Sequence, residues 1–154
     1  LQLRDDEVGL MKQDGFSLIE LLIVVAILGV VSAIAVPNLL KARRSAYEAR
    51  AIQFMKSWVP GQEMYRRVHG TYATADEDLV SEKFINKALN SNGDADDNAY
   101  SYSIDSNTSD YPRWWGTAQR NSTMTGSRNF YIDQTGIIRF NPSSVATSTD
   151  TPIQ

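Results

Sequence analysis

From Leu18 to Val36 the chain is apolar apart from Glu20 and the small Ser32, and it holds no basic residue. About twenty such residues, rising ~1.5 Å each along a helix, cross a hydrocarbon core of ~30 Å. A soluble domain of this size has no use for a helix that is apolar all the way round. The run is therefore read as a membrane-crossing helix. A signal peptide or an ordinary anchor is the simplest version of that reading, and two features stand against it. The run exceeds a usual signal core, and no small-x-small cleavage site followed by a break comes after it. Near its start sits a carboxylate, Glu20, and buried charge in a membrane is costly and tends to mark function.

The residues around that carboxylate narrow the reading. Met11-Lys12-Gln13-Asp14 leads into Gly15-Phe16-Ser17-Leu18-Ile19-Glu20. This stretch resembles the prepilin processing site of type IV pilins and of the pseudopilins of type II secretion. The resemblance implies cleavage between Gly15 and Phe16 by a prepilin peptidase, followed by N-methylation of Phe16. Glu20 stands fifth after the cut, as the family's glutamate does, and Gly29 and Pro37 match its helix-breaking glycine and proline. The detail is confined to the N-terminal third; beyond Gly70 the likeness is one of general style. The fold it implies is α+β: a long N-terminal helix packed on a small antiparallel sheet.

Three segments follow. Residues 1–15 are a leader, in which Arg4, Asp5, Asp6 and Glu7 form a polar preface and Met11 is the expected true start. Residues 16–68 form the long helix, transmembrane over 16–37. Residues 69–154 form a head with a flexible C-terminal tail. The distribution of cations raises a conflict. Lys41, Arg43, Arg44 and Arg50 make the far side of the apolar run more basic than the leader, where Lys12 faces Asp14. The positive-inside tendency places that far side in the cytoplasm. The resemblance implies the reverse, a bacterial inner-membrane precursor with a periplasmic head that later joins an extracellular filament. The rarer signal, the processing motif, is preferred, with the basic side chains snorkelling to the outer headgroups.

From Asn38 the pattern becomes amphipathic, with Leu39, Leu40, Tyr47, Ile52, Phe54, Met55, Trp58, Met64, Tyr65 and Val68 apolar at helical spacing. Pro60-Gly61 predicts a kink or break, and Gly70 a left-handed helix cap. Tyr47, Phe54, Trp58 and Tyr65 are read as packing against the head rather than as an electron-carrying stripe. A short helix is predicted over 76–89, with Leu79, Val80, Phe84, Ile85 and Leu89 inward. Four strands follow. Tyr100, Tyr102 and Ile104 alternate with polar residues, 111–118 forms a second strand, and 129–132 pairs with 137–140 through the turn Asp133-Gln134-Thr135-Gly136. The Ser/Thr/Pro-rich tail after Pro142 is expected to be mobile.

Chemistry is mostly excluded. The absence of cysteine removes disulfides, thiol catalysis and thiolate-bound metals, and it departs from the many pilins that close a C-terminal loop with a disulfide. The net charge of −3 gives no overall nucleic-acid-binding surface. His69 is the sole histidine and is read as a surface residue. No catalytic set can be placed, so no enzyme activity and no cofactor are expected. In the loop 90–98, Asp94, Asp96 and Asp97 offer the hard oxygen ligands that suit calcium. The loop lacks EF-hand spacing and a closing glutamate, so a solvated turn is the competing reading.

The expected function is that of a structural subunit of a type IV pilus-like filament. The partners implied by the resemblance are other copies of the chain, the prepilin peptidase, the inner-membrane assembly machinery and, before assembly, membrane lipid. The alternatives are a type II secretion pseudopilin or an anchored ligand-binding domain using Trp114 and Trp115. Major pseudopilins usually have a calcium-binding C-terminal region, which is not recognisable here.

Overall fold

The structure is a computed structural model that describes residues 15–86, 99–107, 113–122 and 126–153. The elements are α1 (Leu18–His69), α2 (Asp76–Ser81), β1 (Tyr100–Asn107), β2 (Arg113–Arg120), β3 (Asn129–Asp133), β4 (Arg139–Asn141) and β5 (Thr151–Pro152). The chain divides into two compact units, 1–38 and 39–154. In the first, the side chains of α1 are exposed on every side, Leu18 at 77% and Ile34 at 67%. α1 is the one helix among the described residues long and apolar enough to cross a membrane.

The second unit is a single antiparallel sheet in the order β1-β2-β3-β4-β5, with the amphipathic part of α1 supplying the other half of its core. Strand alternation turns Ile104, Trp114, Ala118, Phe130 and Ile132 inward, where they meet Ala51, Met55 and Trp58 of α1. Trp58 is fully buried and lies against Gly116, where any side chain would collide with its indole ring. Phe54 and Tyr102 meet the same ring edge-on, with centroids 5.3 and 6.1 Å away. The aromatic residues of α1 thus include the centre of the head core.

α1 is helical through Pro60, where a kink or break was expected. The missing N–H of Pro60 leaves the carbonyl of Lys56 without its helical partner, and Lys56 is exposed, so water can take that place. Gly61 is buried because a Cβ there would lie 2.9 Å from Ile85 Cγ2. α1 ends at Gly70, whose φ of 77° and N–H bond to the Arg66 carbonyl (2.8 Å) form the left-handed cap. The side-chain amide of the buried Gln62 then holds Ala73, donating to its carbonyl (3.0 Å) and accepting from its N–H (2.9 Å).

Three expectations need correction. α2 stops at Ser81 instead of running to Leu89, because Lys83 takes a left-handed conformation (φ 59°) and closes a Schellman turn. The Lys83 N–H bonds to Val80 O, and the Phe84 N–H to Leu79 O, both at 2.9 Å. Leu79 and Ile85 remain inward, while Leu89 lies outside the described residues. The sheet has five strands, not four. The tail, expected to be mobile, folds back to supply the fifth. Asp150 organises it, accepting from the Thr147 N–H (2.7 Å) and the Asn141 side-chain amide (3.0 Å). The Ile153 N–H reaches Ile138 O (2.8 Å).

One ion pair fastens α1 to the segment before β3. The Glu48 carboxylate accepts from Ser127 N–H (2.8 Å), Ser127 Oγ (2.6 Å), Arg128 Nε (3.0 Å) and Arg128 Nη2 (2.7 Å). Arg128 also lies over the rings of Phe130 and Phe140. Burial by itself raises the Glu48 pKa, but the Ser127 and Arg128 hydrogen bonds outweigh it and hold the pKa below its ordinary 4.5. A lowered carboxylate pKa contributes stability that is present above the ordinary value and is lost as pH falls through the native one. Glu48→Gln is therefore expected to cost about 2–3 kcal/mol at pH 7, less than a fully buried pair because Arg128 is a third exposed. Thermal melts at pH 7 and pH 3 check this: the gap between wild type and variant should narrow at pH 3, and a constant gap would refute the linkage.

Candidate processing and assembly segment

Gly15, Phe16 and Ser17 are exposed and precede the first helical residue, Leu18. The Ser17 carbonyl accepts the first helical bond, from Leu21 N–H at 3.2 Å. The Ser17 N–H in turn donates to Glu20 Oε2 at 3.2 Å. Ser17 thus sits at the N-cap, and Glu20, three residues on, reaches back to satisfy a backbone donor that the helix leaves orphaned. That is one half of a capping box. The sequence reading missed this role, although Ser17-Leu18-Ile19-Glu20 carries its spacing. Glu20 also places negative charge in the first turn, where the helix dipole favours it.

The geometry fits processing by another protein. The Gly15-Phe16 bond lies in exposed, non-helical chain, the form in which a peptidase can take hold of a backbone. Among the described residues no heavy atom lies within 4 Å of where a Gly15 Cβ would be, so none of them demands glycine at that position. Gly29 is likewise open. Glycine in a helix interior costs roughly 1 kcal/mol against alanine and proline about 3. Yet α1 is helical through both Gly29 and Pro37 in the single chain, and among the described residues nothing packs within 4 Å of a Gly29 Cβ.

Other sequence candidates lie elsewhere. Trp114 is core, 1% exposed, while Trp115 points to the opposite face of β2, so the two cannot form one ligand-binding surface. His69 stacks on Tyr65 with centroids 4.2 Å apart, and its Nε2 is 3.4 Å from Glu82 Oε1. Asp94, Asp96 and Asp97 lie outside the described residues, and the calcium reading lies there with them.

The segment thus combines an exposed Gly15-Phe16 bond, a capped first turn and an apolar helix long enough to cross a membrane. Comparison with known proteins agrees. Residues 10–36 match the prokaryotic N-terminal methylation motif. The chain is 40% identical over 67 residues to the type IV wide pilus major component PilA4 of Thermus thermophilus, covering 44% of this chain and 51% of that one. It is 34% identical over 79 residues to the type II secretion system core protein G of Vibrio cholerae (51% and 53% covered). Its identity to the protein of the same description from Escherichia coli is 31% over 70 residues (46% and 48% covered). The aligned region thus spans about half the length of these curated relatives. Over that part, the chain is similar to type IV pilins and to the pseudopilins of type II secretion.

Proposed function

We propose that this chain is a non-enzymatic structural subunit of a type IV pilus-like filament, made as an inner-membrane precursor with its head in the periplasm. Prepilin peptidase cuts between Gly15 and Phe16, Phe16 is methylated, and assembly machinery moves the apolar helix from the bilayer into a filament core of other copies. The observation that carries this reading is a methylation motif matched over 10–36, whose helical part keeps its apolar side chains uncovered among the described residues. A bilayer covers them in the precursor, and neighbouring helices replace it in the filament. A filament can also shelter backbone groups that Gly29 and Pro37 would free by local unwinding, which lipid cannot. The pseudopilin reading is retained because several core protein G relatives match about half of the chain. Abundance in filaments sheared from cells favours the pilus, and retention in the cell envelope favours the pseudopilus.

In this reading Glu20 aligns subunits. An unpartnered carboxylate in an apolar core costs several kcal/mol, and no Lys, Arg or His lies in the segment to pair with it. Cleavage creates one cation at the right depth, the amino group of Phe16, and each neighbour brings another. Breaking a buried pair costs about 3–5 kcal/mol, on the order of a hundredfold or more in association. Glu20→Ala is expected to leave cleavage and membrane insertion normal but yield few filaments in cells lacking any other pilin. Glu20→Gln separates this from capping, because glutamine still reaches the Ser17 N–H but carries no charge. It should fail as alanine does, and restored filaments would assign Glu20 to the cap alone.

A further inference from the structure

We infer that the groove between α1, the β3–β4 turn and the C-terminal tail binds a single-chain amphiphile with an anionic head, of the class of a medium-chain fatty acid, its carboxylate held by Lys56. The groove encloses about 300 Å³ and is lined by Ile52 and Lys56 of α1, Gly136, Ile137 and Ile138 of the turn, and Ile153 of the tail. Three elements converge to shape it. The turn is fixed by the Gly136 N–H bond to Asp133 O (2.9 Å), with Gly136 in a left-handed conformation (φ 71°). The tail is fixed by the Ile153 N–H bond to Ile138 O (2.8 Å). Isoleucine is stiff at its first side-chain torsion, so the apolar wall is formed before anything enters it.

Charge and size decide the occupant. Lys56 is the one charged side chain among the described lining residues; it is exposed and forms no ion pair among the described residues. Asp133, the acid of the adjoining turn, is taken up by Thr135, accepting from its N–H (2.9 Å) and its hydroxyl (2.6 Å). An anion therefore meets an unopposed cation at the edge of the groove, and a cationic head is repelled. The volume of about 300 Å³ lies at the lower end of the range for ligand pockets. At ~30 Å³ for a group the size of water, it holds about ten carbons, which is one chain and not the two tails of a phospholipid. A protein partner of ordinary size needs about 800 Å² on each side. Ile137, 44% exposed, is the one large exposed apolar side chain lining the groove among the described residues. The inference rests on the 39–154 unit alone, so it stands or falls apart from processing and filament assembly.

The test exposes the purified full chain, in phosphatidylcholine vesicles, to decanoate carrying a diazirine at its far end, and maps the photolabelled peptides by mass spectrometry. Saturable label is expected on the peptides that hold Ile52, Ile137 or Ile153. Unlabelled decanoate should compete, and decyltrimethylammonium should compete far less. Lys56→Gln should weaken binding about threefold, in keeping with an ion pair open to solvent. Lys56→Glu should reverse the preference, so that decyltrimethylammonium now binds better than decanoate. Ile137→Asn removes apolar surface from an exposed position, where the fold does not depend on it, and should weaken binding on the order of tenfold. The control Met64→Asn, at another exposed apolar position of α1, should keep wild-type labelling. Label that never saturates or stays within 18–36, equal competition by the cation, or wild-type labelling of Ile137→Asn overturns the inference. So does label that falls, at constant free probe, as more copies are reconstituted per vesicle, which would assign the groove to a second copy of the chain. Label displaced by phosphatidylglycerol in the vesicles would also overturn it, by making membrane lipid the occupant.

Discussion

Gly15→Leu is expected to leave essentially all of the chain uncut, held in the membrane with its leader attached and absent from filaments. The Gly15-Phe16 bond, the proposed cleavage point, sits in exposed, non-helical chain, and a Cβ at Gly15 meets no heavy atom within 4 Å among the described residues. Among the described residues, nothing gives the substitution a steric cost at Cβ that would explain a loss. On the proposed function the effect comes from the peptidase, whose cleft would have to accept the backbone on both sides of the cut. Immunoblots of membrane fractions would show one slower-migrating band, and circular dichroism of the purified precursor would show an unchanged head. Gly29→Leu is the matched control, also open in this chain, and should be cut normally. Normal maturation of Gly15→Leu would remove the processing site from its proposed place.

The second large effect concerns the head. Trp58→Ala empties the centre of the core, removing a fully buried indole that touches Gly116, Phe54 and Tyr102. Such deletions cost about 3–5 kcal/mol, a large part of the ~5–15 kcal/mol that holds a domain of this kind together. The melting temperature of the head should fall by more than about 10 °C. Gly116→Val approaches the same contact from the other side. Its Cβ would lie 2.6 Å from Trp58 Cε3 and closer still to Cζ3, backed by the Ser103 carbonyl at 3.4 Å. Overpacking costs ~1–3 kcal/mol or more. Because the residues touch, the two changes should not add. Gly116→Val should be milder in a Trp58→Leu background than in wild type, and strict additivity of the melting shifts would refute the contact.

How much of this was legible in the sequence differs along the chain. The methylation motif and the long apolar helix were readable because hydropathy and a spaced motif are local signals that need no tertiary contact. The alternation at Tyr100, Tyr102 and Ile104 and the turn before Gly136 were readable for the same reason. Misreadings arose where a distant partner decided the outcome. α2 ends on a lysine in a conformation that sequence rules reserve for glycine. The tail looked like a loose Ser/Thr/Pro segment until Asp150 and the edge of β4 gave it partners. Glu48 gave no sign of its role, since Ser127 and Arg128 lie about eighty positions away in sequence. Ser17 was a different failure, a local capping signal overlooked beside a more conspicuous motif.

The most direct test of the account is the N-terminus of this chain in filaments sheared from the cell surface and analysed by mass spectrometry. The account predicts that the chain begins at Phe16 and carries a methyl group on its amino nitrogen. Assembled material beginning at Met11 or Leu1 would contradict it.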